Sequence, residues 1–436
     1  MARLKKSKPE NNIGPASLTV LVGMWIFVLA ITLPAQAQTF SVIHAFSGTD
    51  GDHPAAGLTM DQGGNFYGTT RDGGSYNNGY ACELYFLNGC GTAFKMTRHG
   101  SAWLLAPLVK FNSTNGAYPQ TSVTIGPNGS IYGTTGLGGG CTYSVFGCGE
   151  IFNLTPEATA PIAFPPPWVD HVLYAFTEGD DGGPYPSEVI FDAAGNLYGT
   201  SVGGTYGAGN VFEFTPSQYG WTETVLYSFY GGNDGLYPHG MIADSGFHHL
   251  YGVTFKGGGN GCDGSGCGTV FELTRSGSGW TETILHTFTD GSDGAWPLGA
   301  PIMDQAGNLY GTSAGAFVSP GTVWEMSPSN GGWTFSVLYN FSGYADAGPY
   351  AGLTMDAAGN LYGTTYAEGT YGEGNVFKLS PSNGSWNYTD LYDFTGGNDG
   401  AAPEGRPSVD AAGNVYGTAS SGGTYGVSGT VWEITP

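Results

Sequence analysis

Charge is scarce in this sequence, and positive charge most of all. Of 436 residues only 11% are charged, and 12 Lys and Arg stand against 35 Asp and Glu, for a formal net charge of −23. So acidic a surface repels phosphate backbones and anionic headgroups, which excludes nucleic acid and a membrane surface as partners. Motifs of chemistry are missing too: no nucleophile elbow, phosphate-binding loop or His-Glu-x-x-His zinc pattern occurs. Cysteine is limited to six residues, none in the Cys-x-x-Cys spacing of zinc sites. Low charge does not mean disorder here, because the apolar residues recur in regular short runs.

One long hydrophobic run is present, from Leu18 to Leu33, preceded by Arg3, Lys5, Lys6 and Lys8. Ala35-Gln36-Ala37 fits a small-x-small cleavage site, so residues 1–37 read as a signal peptide removed before Gln38. The alternative is retention of the segment as a membrane anchor.

What fills the rest of the chain is a repeat. A Tyr-Gly phrase recurs seven times, at Tyr67, Tyr132, Tyr198, Tyr251, Tyr310, Tyr362 and Tyr416. The period suits four short strands and their turns rather than helical repeats. In the copy around Tyr362, Gly352–Asp356 ends in an Ala-Ala-Gly-Asn turn. Asn360–Thr365 forms a second strand, and Asn375–Leu379 a third that Ser380-Pro381 is expected to stop. A fourth strand carries a Trp eight residues before a Phe in six copies, as in Trp386 and Phe394. Eight is even, so both rings are expected on one face of an extended strand.

The two ends fix the architecture. The chain opens with a fourth-type strand, Thr39 to Phe46, and closes with a third-type strand ending at Ile434. Pairing the two completes the last sheet, which predicts an all-β, seven-bladed β-propeller with four strands per blade, as one domain over residues 38–436.

The cysteines fall as three local pairs, Cys82 and Cys90, Cys141 and Cys148, Cys262 and Cys267, each between the second and third strands of one copy. In an exported chain this reads as three disulfides on one face; zinc is the competing reading.

Phrases such as Asp192-Ala193-Ala194-Gly195-Asn196-Leu197-Tyr198-Gly199-Thr200, Gly203-Gly204-Thr205-Tyr206-Gly207, Gly209-Asn210-Val211-Phe212 and Leu226-Tyr227-Ser228-Phe229 resemble the GloVer tandem repeat of bacterial exported proteins over residues 39–436. The resemblance implies an exported or surface-anchored repeat protein and assigns no activity. The chain departs from anchored members by ending at Thr435-Pro436, straight after its last strand. Soluble secretion is therefore expected, with a periplasmic or surface-associated location if the leader stays.

Three groups of residues are candidates for a site. Asp50, Asp181, Asp234, Asp293, Asp346 and Asp399, with Asn115, recur after the Phe of the fourth strand. They suit either a calcium-binding ring or Asp-Gly turns that need no ligand, the turn reading being the weightier. An aromatic or His follows, at His53, Tyr118, Tyr185, Tyr237, Trp296 and Tyr350. With the Tyr-bearing loops of Tyr76, Tyr206, Tyr371 and Tyr425 these are expected around the channel mouth, where rings flanked by acids suit sugar stacking. The third group consists of departures from the repeat, since residues that recur serve the fold. Glu188 and Arg406 replace small residues four places before the first-strand Asp, and His53 and His239 are departures beside Pro. His44 and His286 occupy a slot of packed Tyr, and His248 and His249 form weak metal evidence in a lengthened turn.

The expectation is a secreted, non-enzymatic monomer that binds an extracellular polysaccharide or surface protein and uses no cofactor, calcium excepted. The competing reading is a propeller lyase or hydrolase working through a metal-assisted site at the channel mouth.

Overall fold

The computed structural model describes residues 38–436 apart from 75–81, 83–88, 140, 142–146, 158–167, 178, 184, 278 and 344–346. Gln38–Pro436 form one compact unit. Its strands make seven four-stranded antiparallel sheets, the blades of a β-propeller. Blade 6 is typical, with strands Thr354–Met355, Leu361–Thr365, Asn375–Ser382 and Ser385–Asp393. Its third strand runs on through Pro381, which pairs with Trp386. The expected stop at Ser380-Pro381 does not occur, because near the end of a hairpin one missing donor costs the ladder little.

Blade 7 combines Ser408–Val409, Val415–Ala419 and Thr430–Thr435 with the N-terminal Thr39–Ala45. The register runs from Thr39 opposite Thr435 to Ala45 opposite Thr430. This closure completes the last blade and joins the two ends of the chain in one sheet.

Each residue of the Tyr-Gly-Thr signature has a separate task. The Tyr hydroxyl donates to the Asp of the preceding turn, 3.1 Å away for Tyr362 and Asp356. That Asp also accepts from two backbone N–H groups, of Ala358 and Asn360, which holds the hairpin shut. The Gly makes room: a Cβ on Gly68, Gly133, Gly199, Gly252, Gly311, Gly363 or Gly417 would lie 2.1–2.6 Å from the aromatic ring of the third strand. The Thr stitches blades together. Thr69, Thr134, Thr200, Thr312, Thr364 and Thr418 each donate to a backbone carbonyl of the next blade, in five cases in the segment leading into its first strand and for Thr200 within that strand. Blade 4 has Val253 at this place, so the seam between blades 4 and 5 lacks that bond.

The Trp and Phe of a fourth strand do not share a face. Trp221 packs into the cluster of Phe176, Leu197 and Phe212, between blades 2 and 3, whereas Phe229 packs with Val211, Met241 and Phe271, between blades 3 and 4. The cause is a β-bulge: the register of strands three and four slips by one between Val211 and Phe212, and at the same place in the other blades. One extra residue inverts the parity beyond it, so each strand delivers one ring to each of two seams.

Candidate ligand site at the channel mouth

Blade entries converge where the first strands meet. At the entry to the first strand of six blades stands a residue with left-handed backbone: His53, Tyr118, Tyr185, Tyr237, Trp296 and Ala402 have φ between 52° and 63°. Five of these six donate their N–H to a carbonyl just ahead of the third strand in the preceding blade, as Tyr237 does to Ala208 at 2.7 Å. A non-glycine residue is costly in this conformation, and its recurrence ties it to the blade-to-blade turn.

Beyond these residues lies a cavity of about 250 Å³ lined by all seven blades. Its inner ring is formed by Gly57, Ser122, Glu188, Gly240, Ala300, Gly352 and Arg406, the slot in which the sequence shows two departures. Those two meet: Arg406 Nη2 donates to Glu188 Oε1 at 3.3 Å across the channel. A second cavity of about 470 Å³ on the far side is also lined by both residues, so the ion pair stands between the two.

His239 lines the upper cavity beside Phe255, ring centroids 6.0 Å apart, and burial pulls its pKa down to about 4, so it is neutral at pH 7. Tyr185 and Tyr350 complete the wall. Glu404 is there too and was missed in the sequence, although its slot after Pro varies among copies as Ala55, Gln120, Leu298 and Tyr350. Burial raises the Glu404 pKa, against the opposing pull of a Ser420 hydroxyl donated at 2.9 Å and of Arg71 and His53.

Other expected site residues stand elsewhere. His53 is not among the cavity-lining residues; its Nδ1 lies 2.9 Å from Asp52 and 3.4 Å from Asp72, whose other partner is Arg71 at 3.0 Å. Trp296 does not line the cavity either, because its ring packs on Phe255 and Phe317. Tyr206, Tyr371 and Tyr425 project from the loops between second and third strands and are 53%, 61% and 66% exposed, none of them lining the mouth. Tyr206 leans on Tyr230 with centroids 4.4 Å apart.

The Asp positions serve turns. Asp50 accepts from the Ser47 N–H and hydroxyl; Asp181, Asp234, Asp293 and Asp399 accept the backbone N–H of Thr177, Tyr230, Thr289 and Thr395. Asp346 and Tyr76 lie outside the described residues. His44 and His286 reach Asp50 and Asp293 at 2.9 and 3.2 Å, as Tyr392 reaches Asp399 from the same slot. His249 meets Glu272 at 2.7 Å. Among the described residues no three His, Cys, Asp or Glu side chains form a metal-binding group.

The cysteines form three disulfides, Cys82–Cys90, Cys141–Cys148 and Cys262–Cys267. They point to an extracellular or periplasmic protein. Among the described residues no helix is long and apolar enough to cross a membrane.

Fold and site together define a closed seven-bladed propeller built from tandem repeats, with a cavity at one channel mouth lined by all seven blades. The chain belongs to the Gloeobacter/Verrucomicrobia repeat family, whose repeat matches residues 28–165, 142–334 and 312–436. Among curated proteins none matches the chain. Of solved structures, a polysaccharide lyase of a new family, PL25-Ulvanlyase, is similar with TM-score 0.53 and 10% identity, over 88% of this chain and 94% of that one. The same lyase bound to -[GlcA(1-4)Rha3S]- matches equally. A putative gluconolactonase is similar at TM-score 0.41 and 10% identity, over 92% of both chains. At such identity the likeness to the lyase shows the fold alone.

Proposed function

We propose that this protein is an exported binding propeller that takes the end of a neutral saccharide chain into the channel mouth. The observation that carries this reading is the convergence on one cavity of two departures from the repeat, Glu188 and Arg406, with His239 and Glu404 from the variable slot after Pro. Small-molecule pockets usually measure about 300–1,000 Å³, and this one lies just below that range. It therefore suits one sugar ring rather than a threaded chain. The ion pair and Glu404 offer charge-assisted hydrogen bonds to hydroxyls, and the Tyr185 ring offers a stacking face. A net charge of −23 disfavours a polyanion. The leader and the disulfides support export, and the binding reading needs neither a cofactor nor a second copy of the chain.

The test is a panel of neutral and acidic oligosaccharides followed by thermal shift and calorimetry. Replacing both Glu188 and Arg406 by Gly restores the residue of blades 1, 4 and 6 and removes the pair together, so no charge is left buried alone. Folding should survive while affinity falls by about ten- to a hundredfold. A double variant that binds as tightly as the parent overturns the assignment, as does a parent that binds none of the panel.

A hydrolase is the second reading, favoured by one observation. Glu404, whose pKa burial raises, faces the same cavity as Glu188, whose carboxylate is held by Arg406. Two carboxyl groups in unlike environments are the working parts of glycoside hydrolysis. Turnover of any saccharide in the panel, abolished in Glu404→Gln with binding kept, would establish it over simple binding.

A further inference from the structure

Blade 3 gives up a turn hydrogen bond and shows a ring to solvent instead. In the other six copies the residue after the fourth-strand Phe is short and polar, namely Ser47, Asn112, Thr177, Thr289, Ser342 and Thr395, whereas here it is Tyr230. Ser47, Thr177, Thr289 and Thr395 donate their hydroxyls at 2.5–3.0 Å to Oδ1 of the turn Asp. Tyr230 keeps the backbone bond to Asp234 at 2.9 Å, but its side chain is 64% exposed and Oδ1 of Asp234 is buried without a partner. A departure that weakens its own turn serves something other than the fold.

The ring that Tyr230 meets is Tyr206, with centroids 4.4 Å apart and planes inclined by 35°. Tyr206 stands in a turn closed by the Gly207 N–H donating to the Gly204 carbonyl at 2.9 Å, and its neighbour Thr205 donates its hydroxyl to Asp180 at 3.0 Å. The ring is therefore held in place, yet 53% exposed. Tyr371 and Tyr425 occur in the same loop of blades 6 and 7, where Thr395 and Ser47 fill the slot of Tyr230 and supply no second ring. Around the pair the surface is bare, since a Cβ on Gly207 or Gly232 would meet no atom within 4 Å.

Two rings among glycines are far smaller than the roughly 800 Å² that a protein partner covers. They match one pyranose, whose C–H face stacks on an aromatic ring while its hydroxyls donate to an exposed carboxylate such as Asp180. We propose that Tyr206 and Tyr230 form a surface subsite for a neutral sugar ring, apart from the channel mouth, with Asp180 accepting from the sugar hydroxyls. An acid at its edge and a net charge of −23 select against an anionic sugar. The subsite does not require the channel to bind.

The experiment is affinity electrophoresis of the oxidised protein through native gels that contain hydroxyethylcellulose, galactomannan or laminarin. The parent should be retarded in at least one gel, and Tyr206→Ala and Tyr230→Thr should each weaken that binding by roughly two- to tenfold. Tyr230→Thr also restores the hydroxyl to the turn, so it should melt no lower than the parent. A clear drop in its Tm would make the ring structural and overturn the proposal. So would a parent that no gel retards, or undiminished retardation in the variant carrying both tyrosine changes. Self-association of the parent that disappears in Tyr230→Thr would assign the rings to a second copy of the chain, which also overturns it. The variant with Glu188→Gly and Arg406→Gly separates the two sites. Retardation lost there and kept in the tyrosine variants leaves the channel reading standing and defeats this one; the reverse pattern supports this subsite and counts against the channel.

Discussion

Three consecutive seams of this propeller are closed by aromatic stacks, and three others by acids in the same slot. Two residues after the conserved Trp stand Phe335 and Tyr388, and the closing strand places Phe40 in the same slot. They stack on His286, Tyr339 and Tyr392 with centroids 3.7–4.3 Å apart and planes within 10°. At the seams ahead of blades 2, 3 and 4 the slot holds Asp170, Glu223 and Glu282. Burial with a neighbouring Asp raises Glu223 and Glu282 to about 7. One backbone geometry thus carries either a pair of stacked rings or a carboxyl group whose charge depends on pH. The repeat specifies the slot, and its occupant decides how the seam responds to its surroundings.

The largest effect should come from forcing the acidic solution onto a stacked seam. Phe335→Glu removes a ring from the cluster of Phe288 and Trp324 and should cost about 3 kcal/mol in denaturant unfolding; a loss under about 1 kcal/mol would mean that the stack is incidental. Reducing the disulfides, which occur in blades 1, 2 and 4 only, should cost about 2 kcal/mol per loop by chain entropy while the aromatic half keeps its strand signal. Loss of the whole fold on reduction would contradict this.

The opposite exchange should stabilise. Glu282→Phe gives Tyr227 a stacking partner and should gain about 1 kcal/mol at pH 8. The gain should shrink at low pH, because a carboxyl whose pKa is raised on folding binds its proton more tightly in the folded state. Its contribution is complete below about 4.5, the ordinary Glu value, and is lost as pH rises through about 7. Melting profiles from pH 4 to pH 9 should therefore slope downward in the parent and less steeply in Glu282→Gln; equal slopes would remove Glu282 from the account. The smallest effects concern the stitching hydroxyl. Thr364→Val should cost about 1 kcal/mol, and Val253→Thr should return roughly 0.5 kcal/mol to the seam that lacks the bond. A loss on Val253→Thr would show that blade 5 cannot present its carbonyl.

Most of the fold was legible because its signals are local. The Asp–Asn turn, the Tyr-Gly-Thr strand and the tally of strand types at the two ends each follow from a few adjacent residues, and the closure through Thr39–Ala45 appears as counted. The shared face of Trp and Phe was misread, since a bulge inserts one residue without leaving a mark in the spacing. At the candidate site the rule that departures mark function led to Glu188, Arg406 and His239 in one cavity. It also selected His53, which is occupied by Asp52 and Asp72, and passed over Glu404, whose slot varies too freely to have a consensus. The acidic slot escaped notice because its partners belong to the next blade.

By itself, then, the sequence determined the repeat, the number of blades, the ring closure and the local cysteine pairs, all of which depend on residues within one copy or on counting copies. Tertiary structure alone decided what residues from different copies do to one another. It brought Glu188 and Arg406, 218 positions apart, to 3.3 Å across the channel, and it put Glu223 of one blade within 3.3 Å of the Tyr174 hydroxyl of the blade before it. The physical reason is the ring: each blade places its first strand on the axis, so residues remote along the chain become neighbours there, and the strength of their interaction depends on a desolvation that no single copy contains.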